Sequence, residues 1–346
     1  MDWDAMRQFG EMKPDGTFEL SVSLPTTQTG KVRRCCPNPF CQPGFFLLGD
    51  GPGTVSEQLP GMRRLPQSAG VTCPYCGTDA GDDDWLCSED LDHALEQVGW
   101  AAERDTASEL RSMADDFNRK VGGGLFGISM KIERGSRPRP QAWIEDLLRE
   151  LACDRCGREY GVYAIGLFCP DCGATNLAVH FSREVELIDR QLDLAEDVED
   201  REMSWRLLGN AHEDVLTALE TYLKVVFRFV VGRRYEGEDR ARVAKRSEGN
   251  AFQSPDRAAR RYADLGISLL RDLNDDERQL LDVYVHTRHV IGHNLGLVDE
   301  RFTDETDRGQ EGQTVPLVIE DVRRFAEVAG HVISGLEDVI PELAQP

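Results

Sequence analysis

The sequence predicts a multidomain chain in which zinc-ribbon-like α+β modules precede an all-α helical bundle. Three observations carry that expectation. Cysteines recur as Cys-x-x-Cys-Gly, at "CPYCG" (Cys73, Cys76), "CDRCG" (Cys153, Cys156) and "CPDCG" (Cys169, Cys172). The first eighty-odd residues are rich in proline and glycine. From Ser182 onward apolar residues recur every three or four positions, as on one face of a helix.

Residues 1–87 read as a cysteine-rich, loop-dominated module. "CCPNPFC" offers Cys36 and Cys41, with Cys35 competing for the same role, and Cys73 and Cys76 complete a four-thiolate set. Cys35 and Cys87 are then left over, with His93 close behind Cys87; the group offers a third ligand set, but two ordinary unpaired thiols are the plainer expectation.

Residues 88–142 read as a helix, a strand and a Pro/Arg linker. Ser88 is a good N-cap, and Glu89 and Asp90 place negative charge in the first turn. Leu91, Leu95, Val98, Leu110, Met113 and Phe117 supply the apolar face. The glycine run "VGGGLFG" ends the helix, a strand follows it, and "RGSRPRP" reads as a domain junction.

Residues 143–181 hold the second ribbon, Cys153, Cys156, Cys169 and Cys172. "REYGVYAIGLF" between the two pairs is expected to form a short hairpin. Four thiolates with no open position describe structural zinc, so two zinc ions are expected and no chemistry from either.

Residues 182–346 read as the bundle. One helix is expected from about Arg183. A second, "HEDVLTALETYLKVVFRFVVG", buries Val215, Leu219, Tyr222, Leu223, Val226 and Val230. "PDRAARRYADLGI" supplies a shorter one, and a fourth begins near Asp275. "TVPLVIEDVRRFAEVAGHVISGLEDVI" closes the chain.

Charge narrows the partners. The net charge of −22 argues against a surface that coats nucleic acid everywhere, yet Arg228 to Arg261 holds ten basic residues against five acidic ones. Such a segment is a candidate RNA-binding patch, although arginine-rich composition alone has a bland source in codon usage. No apolar run is long enough to span a membrane, and the acidic start lacks the pattern of a secretory leader. A cytoplasmic chain without membrane contact is the expectation.

The densest chemistry lies in "YVHTRHVIGHNLGLVDERF", Tyr284 to Phe302. At about 100° per residue, His286, His289 and His293 fall on one stripe, as a metal-dependent hydrolase would need. Three points count against that reading. No acid lies between the histidines, Asp299 and Glu300 follow a probable helix end at Gly296, and Arg288 brings a fixed positive charge. Inert surface histidines are the plain alternative. Arg288 with His293 is the minimal kit for cleaving RNA without a metal: a guanidinium to hold the phosphate and an imidazole to move a proton. Five residues of ideal helix set the two about 140° apart. Convergence therefore requires a looser helix near Gly292 or a second protomer. Glu220 is a candidate partner for Arg288, within a site or as an ion pair with no function.

"RHVIGHN" resembles the Arg-x4-His motif of HEPN domains. The blocks "NAHEDVLTALETYLKVVF", "NAFQSPDRAARRYADLGI" and "TRHVIGHNLGLVDERF" are similar to successive stretches of one HEPN subgroup, over about residues 210–302. The resemblance implies a metal-independent endoribonuclease of the toxin or phage-defence kind, dimerising through the bundle so that two protomers line one cleft. It further implies that Arg288 holds phosphate, that His293 is general acid or base, and that His289 and Asn294 assist. It leaves open a protein antidote. Some members keep the fold without cleaving, so the rival expectation is a non-catalytic adaptor in which zinc modules and bundle are both interaction surfaces.

Overall fold

The computed structural model describes residues 4–15, 17–49, 70–121, 129–132, 138–141, 149–247, 249–306 and 308–340. A small N-terminal sheet region carrying both cysteine groups is followed by a helical region.

The N-terminal half holds β1 (Gly10–Met12), β2 (Phe18–Leu20), β3 (Lys31–Cys35), β4 (Phe45–Gly49), β5 (Val71–Thr72) and β6 (Asp79–Ala80). Helix α1 (Ser88–Val121) follows, then β7 (Arg149–Ala152) and β8 (Glu159–Val162). The two cysteine-rich segments, expected as separate modules, share one antiparallel sheet in the order β3-β4-β8-β7. Phe46 of β4 pairs with Val162 of β8, and Leu48 with Tyr160. A single core of Phe46, Leu48, Tyr75, Trp85, Leu151, Tyr160 and Val162 lies against Cys73, Cys153, Cys156 and Cys169. Burying that apolar surface is what makes one unit of two otherwise small pieces. The buried guanidinium of Arg158 fastens the join, donating to the Gly49 carbonyl at 2.8 Å and pairing with Asp171 at 3.3 Å. The hairpin expected between Cys156 and Cys169 does not form, because β8 is already engaged by β7 on one side and β4 on the other.

Helix α1 runs as expected from Ser88, but its apolar residues lie outward. Ala94, Ala101 and Ala114 are buried, whereas Leu91, Leu95, Leu110 and Met113 are exposed. The strand expected after it falls partly outside the described residues, and 129–132 form none. Most of the Pro/Arg linker likewise lies outside them.

Cys35 and Cys87 are not free thiols: they are disulfide-bonded. The end of β3 and the turn before α1 are drawn together by Phe46 packing edge-on to Trp85 at 5.6 Å and by Arg33 donating to Asp90 at 2.7 Å. His93 turns away to Gln97, at 2.7 Å. Reducing compartments keep thiols open, so this bond and the cytoplasmic expectation pull in opposite directions. No helix among the described residues is long and apolar enough to cross a membrane.

The helical region comprises α2 (Leu177–Asp197), α3 (Arg201–Arg234), α4 (Gly237–Ala244), α5 (Pro255–Ala263), α6 (Asp275–Asn294), α7 (Glu300–Thr306) and α8 (Ile319–Glu337). The apolar face expected on α3, Val215 through Val230, is buried throughout. That helix starts at Arg201, earlier than its apolar stripe, because Asp200 caps it by accepting from the Glu202 and Met203 amides at 2.9 and 3.1 Å. Helix α2 likewise starts before Arg183, at Leu177. Glu337 from the end of α8 accepts from the free amides of Leu177 and Ala178, at 2.9 and 3.0 Å. A carboxylate there faces the positive end of the helix dipole. Ile165, Leu167 and Phe168, between β8 and Cys169, enter the core of the helical region, where Phe168 meets Phe229 at 5.4 Å.

Candidate metal centres and the Arg288 cleft

Three of the four cysteine turns are built alike. In each Cys-x-x-Cys-Gly the glycine amide donates to the first cysteine's carbonyl: Gly77 to Cys73, Gly157 to Cys153, Gly173 to Cys169, at 2.8–3.0 Å. The cysteine amide is then donated to a residue beyond the turn, Thr78, Arg158 or Ala174. These glycines have φ of 68°, 72° and 67°, the left-handed region that a side chain disfavours. The fourth turn differs, since Cys36 and Cys41 are separated by four residues and Cys36 donates to Gly44.

Sulfur atoms converge in two groups, Cys36/Cys41/Cys73/Cys76 and Cys153/Cys156/Cys169/Cys172. Cys35 is excluded by its disulfide, so Cys36 takes the contested position. The measured Sγ···Sγ separations are 3.6 Å for Cys36–Cys76, Cys41–Cys73 and Cys156–Cys169, and 3.8 Å for Cys153–Cys172. A tetrahedron of thiolates about 2.3 Å from a central ion has edges of roughly 3.8 Å, so both groups are compatible with a metal ion. Without a cation the thiols of each group cannot ionise together. The sulfurs around Cys73, Cys36 first, push its thiol up, and Cys153 and its neighbours do the same to Cys169.

Helix α6 carries the histidine-rich motif. Asn274 and Glu277 cap its start reciprocally, at 2.9 and 3.2 Å. The helix continues unbroken past Gly292, where the carboxylate of Glu213 lies so close that a Cβ would sit 2.7 Å from Oε1. It ends at Asn294; Leu295 and Gly296 then take left-handed φ of 52° and 82°. A Cβ on Gly296 would stand 2.2 Å from Trp205 Cη2. Gly296→Ala is therefore expected to destabilise the chain by about 1–3 kcal/mol, read as a lower denaturant midpoint.

Arg288, His289 and His293 all line one cleft of about 560 Å³. Its opposite wall is the loop and first turn from Asn250 to Arg257, and its rim is Arg301 and Glu305 of α7. Arg288 and His293 both line it although α6 stays helical through Gly292. His289 and His293 sit one turn apart with ring centres 4.8 Å from each other. Partial burial, then His293 and Arg301, push the His289 pKa down, which favours the neutral ring. Arg288 is half-buried and, among the described residues, has no hydrogen-bond or ion-pair partner. Glu220 does not supply one: it holds Lys224, four residues along its own helix, at 2.5 Å.

Two further motif residues are held by carboxylates, His286 within the lining of the same cleft. His286 pairs with Glu305 at 2.7 Å, and Asn294 donates to Asp299 at 2.8 Å, joining the end of α6 to the start of α7. Among the described residues only the two cysteine groups bring three or more candidate ligand atoms together; the His286/His289/His293 stripe does not.

Sequence reasoning missed His212. It is fully buried beneath the cleft, between Phe325 at 5.0 Å and Tyr284 at 6.0 Å, and neither ring nitrogen has a partner among the described residues. Burial first, and then the Arg288 charge, lower its pKa to about 3. The signal was present, since His212 stands at the start of α3's apolar stripe.

Part of the basic segment is engaged within the chain. Arg234 is tied to the Leu265 carbonyl, Arg242 to Asp239 at 2.6 Å and Arg246 to Asp264 at 3.1 Å. Of its ten basic residues, Arg257 alone lines the cleft. Compared with known protein families, with curated proteins and with solved structures, the chain matches none.

Proposed function

We propose that the Arg288 cleft binds and cleaves RNA without a metal ion, and that the two cysteine groups hold structural zinc. The observation that carries this reading is an unneutralised guanidinium sharing a cleft with two imidazoles. A half-buried arginine with no ion pair can take an anion, and its planar fork suits a phosphodiester, against the local charge of Asp256, Asp282 and Glu305, which line the same cleft. The three sequence blocks that resemble HEPN domains all reach this place. The first supplies Leu216 to its lining, the second Asn250 to Arg257, and the third the end of α6.

In this reading Arg288 and Arg257 hold the phosphate. The RNA 2′-hydroxyl attacks phosphorus and the 5′-oxygen leaves, giving a 2′,3′-cyclic phosphate and a 5′-hydroxyl. His289, kept neutral by its surroundings, accepts the 2′ proton, and His293 returns one to the departing oxygen. Pairing of two bundles would extend the cleft across a twofold axis. Zinc supplies folding energy and leaves no coordination position for substrate; the sheet it holds serves as a scaffold or recognition surface.

Purified protein is expected to cut RNA in a brief incubation with chelator, leaving cyclic-phosphate ends. Arg288→Ala and His293→Ala are each expected to lower the rate by about 10²-fold or more with unchanged circular dichroism and metal content. Wild-type protein that binds RNA or protein partners but leaves every substrate uncut would establish the adaptor reading instead.

A further inference from the structure

The cleft wall opposite α6 is anchored from behind. Phe252 is buried and packs against Phe227 at 5.4 Å and Tyr262 at 6.1 Å. The Gln253 amide donates to the Asn250 carbonyl at 3.3 Å, which closes the turn around that ring. With Phe252 drawn inward, the residues on either side of it, exposed Asn250 and half-buried Gln253, line the cleft. Neither side-chain carboxamide has a hydrogen-bond partner among the described residues. Each offers an N–H donor beside a carbonyl acceptor, the pairing that matches the edge of a nucleic-acid base. Groups held on an anchored turn lose little freedom on binding.

Charge divides the same cleft along its length. Asp282 and His289 are seven residues apart, so they share a face of α6 and stand about 10 Å from each other along its axis. Arg288 and Arg301 lie near His289, at one end. At the other, Asp256 from the first turn of α5 adjoins Asp282. Burial first, then Asp256, hold the Asp282 carboxyl above its ordinary range, with His286 opposing them. Neither carboxylate has a hydrogen-bond or ion-pair partner among the described residues. They do not gather a third ligand atom as a metal ion would require, since among the described residues only the cysteine groups do.

A nucleotide fits such a divided cleft, because it carries phosphate at one end and base at the other. The phosphate is drawn to Arg288 and repelled by Asp256 and Asp282. A base amino group has the reverse preference: it donates to carboxylates and to carboxamide oxygens. Cytosine and adenine present that amine, at N4 and N6, where uracil presents a carbonyl oxygen. A carbonyl facing two carboxylates leaves acceptor against acceptor, which costs affinity. We propose that Asp256 and Asp282, with Asn250 and Gln253, select RNA in which the base beside the held phosphate carries an exocyclic amino group, against uracil. This rests on the reading that the Arg288 cleft holds RNA phosphate, and adds which base it reads.

Calorimetric titration of the full chain with the 3′- and 5′-monophosphates of cytidine, uridine, adenosine and inosine tests this, with inorganic phosphate alongside. Cytidine differs from uridine, and adenosine from inosine, by an amine exchanged for a carbonyl. The amine-bearing member of each pair is expected to bind about tenfold tighter. Asp256→Ala combined with Asp282→Ala should erase that preference and tighten inorganic phosphate, since two negative charges leave the cleft. Both positions are exposed, so circular dichroism should not change. Gln253→Ala should weaken the cytidine and adenosine nucleotides and leave phosphate alone, whereas general damage would weaken all ligands together. Equal binding within each pair, or a preference that survives the double aspartate variant, would overturn base selection. Phosphate binding that Arg288→Ala abolishes would leave the phosphate reading standing in that event. A chain that binds no nucleotide and no phosphate would overturn both. Preference for the amine in a chain that cuts no RNA would keep base selection and remove the nuclease.

Discussion

If the two cysteine groups hold metal ions as proposed, Cys169→Ser is expected to release both, including the one at Cys36, Cys41, Cys73 and Cys76. The expectation follows from how the two groups are joined. Cys169 is fully buried in the same core as Cys73. The Thr72 amide donates to the Pro170 carbonyl at 3.0 Å, and the Leu167 and Phe168 amides donate to Pro74 at 2.6 and 3.1 Å. The turn that carries Cys73 and Cys76 thus rests on the turn that carries Cys169 and Cys172. A structural zinc site contributes on the order of 10–16 kcal/mol to folding, comparable with the whole stability of a typical domain at about 5–15 kcal/mol. A sheet with so small a core would not survive its loss. Metal content measured by mass spectrometry should fall from two ions per chain toward zero, while most helical circular dichroism persists, because α2 to α8 keep their own core. Retention of one ion per chain would mean that the two centres are energetically independent, despite the bonds between them.

Acid should unfold the bundle well before its carboxylates account for it. His180 and His212 are both buried and neutral, with pKa values lowered to about 4 and about 3, by burial first and then by Arg149 and Arg288 respectively. His180 is engaged on both nitrogens, to Tyr222 Oη at 2.6 Å and to the Ala164 carbonyl at 3.3 Å, so a further proton has no place. In the unfolded chain each ring takes up a proton near pH 6.5. The stability tied to neutrality is therefore present in full above that pH and is lost as pH falls below it. Between pH 6 and 4 each histidine costs about 1.4 kcal/mol per pH unit, or about 3 kcal/mol per unit for the pair. Denaturant midpoints at pH 7, 6 and 5 would show the slope. His212→Leu, similar in size and unable to titrate, should remove about half of it; an unchanged slope would place the acid sensitivity elsewhere. Comparing the two proteins cancels the contribution of thiolate protonation at the metal centres, which both share.

What could be foreseen from the residues and what could not divides along physical lines. The Cys-x-x-Cys-Gly turns close through bonds within six residues, so each was visible in its own sequence. The face of α3 was visible for a related reason: a helix displays its period locally, and Val215 to Val230 had nowhere to go but inward. Partner choice was not local. "FFLLG" announces a strand at β4 but says nothing of Tyr160 or Val162. The apolar face of α1 was visible as a period, but not that Leu91, Leu95, Leu110 and Met113 would lie exposed. Cys35 and Cys87 looked spare because their neighbours, Phe46 with Trp85 and Arg33 with Asp90, meet only in three dimensions. The motif on α6 was legible as chemistry, whereas Asn250 to Arg257 was legible as part of a HEPN-like block and the start of a short helix but not as the wall facing that motif.

The pairing of β4 with β8 also bears on how the chain is made. During synthesis, Phe45–Gly49 leaves the ribosome long before Glu159–Val162 exists, and α1 emerges in between. One hydrogen-bonding edge of β4 stays open throughout that interval, as a template for any extended peptide nearby. If Cys36, Cys41, Cys73 and Cys76 hold a metal ion as proposed, its early capture would hold that nascent edge in register until its proper neighbour arrives.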